Sequence, residues 1–415
     1  MRRTTCGACG SNELYTFLNL GYSPIADAYT ATADEVSKTY PLDVAVCLHC
    51  RLAQLLEVVD AETLFGTGYS FYSSASPPLS EYHHRYAQDI IAHHRIGVGP
   101  VVEIGCNDGD MLRWFKAAGR VTVGVDPAIG PVEVARDRGL EVWNREFTAK
   151  VAWELHETYG RVPLVIANHV LAHVADVDDV LHGIAVLLAD DGVAYVEVQY
   201  LPDLLVNNAF DLVYHEHRNF FSLTSIENAA AKRGLVVTDA RLTQRQQGSL
   251  RVRLQHSDRN RISPKRSALS AIRHSEVWLN AGLDAYDGVQ GRVDRIRTRL
   301  WDTLWDEAQR LQHDGHSFTM AGYGAPAKAT TLLNYCGITS DELKFVVDST
   351  PAKQGRFIPG TGIPIVSPIA AADIAGETRG PDVFLLLAWN YAHAIVRAHP
   401  EVKRWILPIP APMVL

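Results

Sequence analysis

At 415 residues the chain exceeds what one hydrophobic core ordinarily supports, so two or three domains are expected. It is globular in composition, 47% hydrophobic and 21% charged, and a net charge of −8 without a long basic run argues against a nucleic-acid surface. No apolar stretch approaches the roughly 18–20 residues that span a bilayer, and no apolar segment follows the basic start MRRTTCGACG as a signal peptide requires, which predicts a cytoplasmic protein without a membrane partner.

The first chemistry in the chain is a pair of cysteine knuckles, Cys6-x2-Cys9 and Cys47-x2-Cys50. Four thiolates at this spacing suit tetrahedral zinc, and because they fill its coordination the ion is read as structural. A redox role is disfavoured, since neither pair stands in a strand–helix context. Gly7 and Gly10 help the first knuckle turn, whereas the second has no such glycine. His49 inside the second knuckle is not needed as a ligand, and Cys106 and Cys336 stand apart.

After an aromatic, hydroxyl-rich stretch (69–84) and a helical run to about Arg95, short apolar runs alternate with helical segments. The predicted strands are VVEIG (101–105), VTVGVD (121–126), LEVW (140–143), PLVIAN (163–168) and VAYVEV (193–198), the pattern of a doubly wound parallel sheet. The first strand opens into Glu103-Ile104-Gly105-Cys106-Asn107-Asp108-Gly109, with a helix expected from about Asp110, and the second ends in Asp126. Glycines admit a ligand close to the backbone, and a strand-end carboxylate suits ribose hydroxyls. Asn107 replaces the second glycine of a dinucleotide motif, and Asp108 makes the turn anionic. Such a turn cradles a pyrophosphate poorly but suits ammonium and sulfonium charges, favouring S-adenosylmethionine over NAD.

The fourth strand ends at Asn168-His169 on the ligand-facing edge, with His173 four residues after His169. His169 and His173 would form a metal pair on one helix face but lack a third ligand, and His173 reads either as a catalytic group or as a packed core histidine. LVYHEHRNFF (212–221) then gathers Tyr214, His215, Glu216 and His217. In an extended chain, His215 and His217 would share one face and Tyr214 and Glu216 the other, so a joint role requires a turn. His215 is read as packed or hydrogen-bonded rather than chemical, and metal binding by the two histidines as the lesser alternative. QGSLR offers Ser249 and Arg251 as donors, with a surface ion pair as the plain alternative for Arg251. A polar helical arm (262–313) leads to a second α/β unit at Gly322-Tyr323-Gly324-Ala325-Pro326-Ala327-Lys328. Its glycines and lysine read as an anion-holding loop for a diphosphate.

The order of these motifs — paired CxxC, VEIGCNDG, NHVLAHV, YHEH, QGSLR, GYGAPAK — resembles the sugar C-methyltransferases that act on nucleotide-linked 4-keto-deoxyhexoses in antibiotic pathways. The resemblance implies an α/β protein with a zinc-binding module (1–68), a Rossmann-like methyltransferase domain (69–260), and a helical arm with a C-terminal Rossmann-like sugar-nucleotide domain (261–415). It implies a TDP-linked 4-keto-deoxy sugar methylated at C-3, or in the alternative at C-5. A monomer acting on a small molecule is expected; a nicotinamide-dependent oxidoreductase or epimerase and a non-catalytic zinc module are the competing classes. By resemblance His217 is the general base, Tyr214, Glu216 and His173 its neighbours, and Tyr69 a further catalytic residue. Glu103, Gly105, Asn107, Gly109, Asp126 and Asn168 would hold the donor. Ser249, Arg251, Tyr323, Gly324, Lys328, Lys353 and Arg356 would hold the sugar nucleotide.

Overall fold

The computed structural model describes residues 1–65, 71–93, 97–243, 248–258, 266–313, 318–374 and 381–415. Its described strands form three sheets. β1 (Leu14–Pro24), β2 (Thr39–Cys47) and β3 (Ala53–Leu55) are antiparallel neighbours in the N-terminal sheet. β4 (Val101–Ile104), β5 (Thr122–Val125), β6 (Glu141–Trp143), β7 (Val162–Asn168) and β8 (Leu188–Gln199) run parallel, as the apolar runs predict. β9 (Asn219–Phe220) leaves that unit and pairs with β3 of the N-terminal sheet. β10 (Leu235–Thr243) and β11 (Ser249–His256) complete the central order β10-β11-β8-β7-β4-β5-β6, with β11 antiparallel to both neighbours.

β12 (Met320–Tyr323), β13 (Val346–Val347), β14 (Ile365–Val366), β15 (Val383–Leu386), β16 (Trp405–Leu407) and β17 (Met413–Val414) make the third sheet, ordered β14-β13-β12-β15-β16-β17 and parallel up to β16. In both parallel units the first strand, β4 or β12, lies between the second strand and a later one. The chain therefore reverses its winding there, and the crevice beyond the strand ends is where open α/β sheets take ligands.

Local sequence explains the central elements. Six of the seven β7 residues are buried, as an interior parallel strand covered on both faces requires. Helix Val177–Leu187 starts where Asp176 accepts from the Asp179 N–H, with Asp178 and Asp179 favouring its N-terminus. The helix expected from Asp110 begins instead at Leu112, and the arm forms helices Arg266–Ser275, Val277–Asn280 and Val289–His313.

The N-terminal sheet is built into the rest of the molecule. Phe17, Leu42, Val44 and Leu55 share one core with residues 201–213, the arm and the third sheet. Cys6, Cys47, Cys50 and Leu52 share another with the central sheet. Among the described residues no helix is long and apolar enough to cross a membrane.

Candidate active site

The two cysteine knuckles close on each other. Their four sulfurs lie within 4.8 Å of one another, with Cys6 to Cys50 and Cys9 to Cys47 at 3.5 Å. Tetrahedral zinc with bonds of about 2.3 Å separates its sulfurs by about 3.8 Å, so the set fits. Both knuckles turn alike: the Gly10 N–H donates to Cys6 O and the Arg51 N–H to Cys47 O, each at 2.9 Å. Arg51 adopts φ +66°, the left-handed conformation that Gly10 takes at +80°. The missing second glycine is thus replaced by a strained arginine.

At the donor loop, Gly105 takes φ +68°, and a Cβ there would sit 2.3 Å from Val170 Cγ2. Asn107 is also left-handed, at φ +52°. Its N–H donates to Asp126 Oδ2 at 2.8 Å, and the Ala128 N–H donates to Asp126 Oδ1 at 2.8 Å. Asp126 is thereby fixed just beyond β5 with acceptor capacity to spare. The Asn107 side chain reaches across to the segment before helix Pro77–His93, donating to Phe71 O and accepting from the Ser73 N–H. Glu103 is buried with Oε2 lacking a protein partner, and burial pushes its pKa well up, reinforced by Asp110, Asp126 and Asp108. Asn168, at the end of β7, contacts Met111 Sδ at 3.0 Å.

The YHEH segment is a turn. The His217 N–H donates to Tyr214 O at 2.8 Å, which removes the alternation expected of a strand and brings the two side chains together. Tyr214 Oη lies 2.7 Å from His217 Nε2. His217 Nδ1 lies 2.8 Å from Leu212 O; a carbonyl only accepts, so Nδ1 carries the proton and Nε2 the lone pair. Gln199 Nε2 stands 3.1 Å from both ring nitrogens. His217 is 4% exposed, and burial, then the neighbouring His173, holds its pKa well below the usual imidazole range. His173 donates through Nδ1 to Glu216 O at 2.8 Å; its ring centroid is 5.2 Å from that of His217, and burial lowers its pKa to about 4.

The other two members of the motif turn away. His215 is fully buried, bonded to Pro41 O at 3.3 Å and edge-on to Tyr40. Glu216 is buried with Oε2 lacking a protein partner; burial, then Asp27, pushes its pKa up to about 8.

Several expectations change. His169 and His173 share no helix face: they flank a turn, with the His173 N–H on Val170 O, and their side chains go to Glu197 and to Glu216 O. Among the described residues the four cysteines are the group of three or more candidate ligands that the fold brings together. Arg251 is neither a surface ion pair nor an open donor. It binds Glu197 at 2.8 Å and Tyr82, with its guanidinium 3.2 Å above the Tyr86 ring. Burial alone would raise the Glu197 pKa, but His169, Arg251 and Tyr82 hold it well below the usual range. Ser249 is buried and pairs with Gln199 in the sheet.

Lys328 does not project into an open loop either; it is 5% exposed, 3.8 Å from Asp211 Oδ2 and 3.9 Å above the Trp389 ring. Tyr323 bonds His399 at 2.6 Å, Gly324 takes φ +82°, Lys353 donates to Ala325 O, and Arg356 reaches Tyr29 O. Tyr69 lies outside the described residues. Gln199, Glu197 and Asp211 escaped sequence reasoning; the only signal was a polar residue inside an otherwise apolar run.

A doubly wound sheet of this order, a braced strand-end carboxylate and a glycine loop define an S-adenosylmethionine-dependent methyltransferase. Three family models match in succession: "Putative zinc binding domain" over residues 6–65, "Methyltransferase domain" over 79–240, and "C-methyltransferase C-terminal domain" over 245–410. C-methyltransferase NovU of Streptomyces niveus is 36% identical over 420 residues, covering 99% of this chain and 96% of that protein. The chain belongs to this C-methyltransferase family, which sets aside the nicotinamide-dependent and non-catalytic readings. It uses S-adenosylmethionine and carries a four-cysteine zinc site. Among solved structures, magnesium protoporphyrin IX methyltransferase (ChlM) of Synechocystis PCC 6803 with bound SAH is 15% identical over 42% of this chain and 82% of that one, TM-score 0.35. The CcbJ methyltransferase of Streptomyces caelestis is 14% identical over 45% and 94%, TM-score 0.36.

Proposed function

We propose that the protein methylates C-3 of a TDP-linked 4-keto-deoxy sugar in antibiotic deoxysugar biosynthesis. The division at 1–68, 69–260 and 261–415 is part of the same reading. The observation that carries it is the His217 tautomer: Nδ1–H on the Leu212 carbonyl and a lone pair on Nε2. A neutral imidazole so oriented is a general base for the hydrogen beside a ketone.

When bound, S-adenosylmethionine supplies a methyl group on a sulfonium. His217 Nε2 takes the C-3 proton, and the C–H electron pair moves into the enolate. The Tyr214 hydroxyl, which caps Nε2 in the free protein, is placed to turn to the enolate oxygen. A developing enolate also favours imidazolium formation, offsetting the burial that makes His217 a weak base. Once the enolate carbon has taken the methyl that the bound donor would supply, with the donor leaving as a thioether, the ketone re-forms, and His217 keeps the proton until solvent receives it. Asp126 would accept from the donor ribose, with Glu103, Gly105, Asn107, Gly109 and Asn168 shaping its seat, and His173 orients the turn through the Glu216 carbonyl. Tyr323, Gly324, Lys353 and Arg356 face the sugar nucleotide.

The test is product NMR after incubation with isotopically methyl-labelled donor and candidate TDP-keto-sugars. Label at C-3 supports the reading, label at C-5 replaces it with the sister reaction, and no label on any keto-sugar overturns the substrate class.

A further inference from the structure

The turn that fixes His217 is held by side chains from the far end of the chain. Leu212, which accepts the His217 Nδ1 proton, closes the 3-10 turn Phe210–Leu212. Asp211, in the middle of that turn, is fully buried. Its Oδ2 accepts the Trp389 indole N–H at 2.6 Å and faces Lys328 Nζ at 3.8 Å. The same ammonium lies 3.9 Å above the Trp389 ring, a cation–π contact that completes a triangle. From helix Ala327–Cys336, which carries Lys328, Thr331 Oγ1 donates to Val213 O at 3.0 Å, and Tyr335 meets Phe210 edge-on at 5.2 Å. Phe210, Asp211 and Val213 are therefore each gripped by the C-terminal unit, and Leu212 is held between them.

A triangle of this kind is a poor device for stability. Lys328 and Asp211 are both almost wholly removed from water, and among the described residues neither Lys328 Nζ nor Asp211 Oδ1 has a hydrogen bond of ordinary geometry. Desolvating two charges at that geometry returns little net stabilisation, and such pairs are commonly replaceable by apolar residues. What the triangle does supply is direction: Asp211 orients the turn whose next carbonyl selects the tautomer of the base.

We infer that Lys328, Asp211 and Trp389 form a clamp through which the C-terminal unit positions His217, so that the base is competent only when that unit is docked. The inference rests on the reading of His217 as the base. It gives Lys328 a positioning role in place of a diphosphate-holding one and adds Trp389 to that role.

Trp389→Phe keeps the ring and removes the N–H; Asp211→Asn and Lys328→Met remove the charges, and Lys328→Arg preserves one. In the full-length zinc-loaded protein, kcat and exchange of the substrate α-hydrogen with solvent deuterium should fall together by about 10–100-fold in Trp389→Phe, the scale of a mispositioned catalytic group. Donor Kd and the sugar-nucleotide KM should stay near wild type, and Lys328→Arg should retain more activity than Lys328→Met. Loosening His217 from its dry contacts with His173, Tyr214 and Gln199, and from the charge of His169, should also move the acidic limb of kcat/KM up towards about pH 6.5. A folded Trp389→Phe with wild-type kcat and pH profile overturns the clamp. So does a change confined to the sugar-nucleotide KM, which would return these residues to substrate binding. His217→Ala separates the two failures. Wild-type exchange there overturns the base reading and the clamp with it, whereas lost exchange there beside a wild-type Trp389→Phe overturns the clamp alone.

Discussion

The donor loop concentrates carboxylates, Glu103, Asp108, Asp110 and Asp126, while the YHEH region concentrates imidazoles, His173, His215 and His217. Both regions are largely dry. Burial penalises whichever form is charged, so it raises Glu103 and Asp126 and lowers His173, His215 and His217. Asp110 is the exception: burial acts upwards, but bonds from His83 and Ser80 and the charges of His83 and Arg113 hold it low. Among the described residues the same physics leaves Glu103 and Asp126 without a paired cation, whereas Asp110 has His83 and Arg113 and Asp108 has Arg138. An arriving sulfonium and ammonium would favour the charged forms of Glu103 and Asp126, whereas the base needs to stay neutral and is kept so by the protein alone.

The largest expected effect comes from the metal. The N-terminal sheet pairs through β3 with β9, two residues after His217, while the donor loop braces against residues 71–74. Chelation or Cys47→Ser should cost the folding free energy of a structural zinc site, on the order of 10 kcal/mol in small zinc peptides. Circular dichroism should report the unfolding, a labelled-donor assay should find methyl transfer lost, and calorimetry should find donor affinity less affected. Equal loss of both would erase the distinction between the regions.

His217→Ala should slow methyl transfer by about 10²–10⁴-fold with donor binding intact. Tyr214→Phe and His173→Asn should cost less. Deuterium exchange at the wild-type rate in His217→Ala would transfer the role to another group. On the other side, Asp126→Ala should weaken donor binding about 10–100-fold, about 1.4–2.8 kcal/mol, through lost charged hydrogen bonds to ribose. Unchanged affinity by calorimetry would remove Asp126 from the donor seat.

The smallest effect is in pH. An imidazole of ordinary pKa would lose about fourfold in its neutral fraction between pH 8 and pH 6. Because burial lowers His217, α-hydrogen exchange should fall by less than that over the same interval. Stability should behave consistently. The folded pKa of His173, about 4, lies below its unfolded value near 6.5, so the unfolded chain gains the proton first and stability is lost as pH falls from about 6.5 towards 4. Melting temperatures that stay flat over that range in wild type, or a slope unchanged in His173→Asn, would contradict the assignment.

Much of this was legible locally. The apolar runs from 101 to 198 give the parallel strands because backbone periodicity is a short-range property. The two CxxC pairs give the metal site because four soft ligands at knuckle spacing already define the coordination. The donor loop reads from Gly105 to Asp126 because strand, turn and strand-end carboxylate are close along the chain. YHEH declared its residue types but not its geometry: alternation would have parted Tyr214 from His217, and the turn bond to Tyr214 O, which joins them, has no sequence signature.

Lys328 and Arg251 mark the limit most clearly. From sequence Lys328 looked like a cation for a diphosphate and Arg251 like either a substrate donor or a surface ion pair; each is sequestered by a carboxylate distant in the chain, Asp211 or Glu197. The sequence by itself determined the elements, the zinc ligands and the donor loop, since these rest on neighbours within a few residues. Only the tertiary structure decided which nitrogen of His217 is the base and which cations face substrate. Those outcomes depend on single partners, Leu212 O, Gln199, Asp211 and Trp389, brought together by packing, and a buried polar group takes whichever partner the packing puts within about 3 Å.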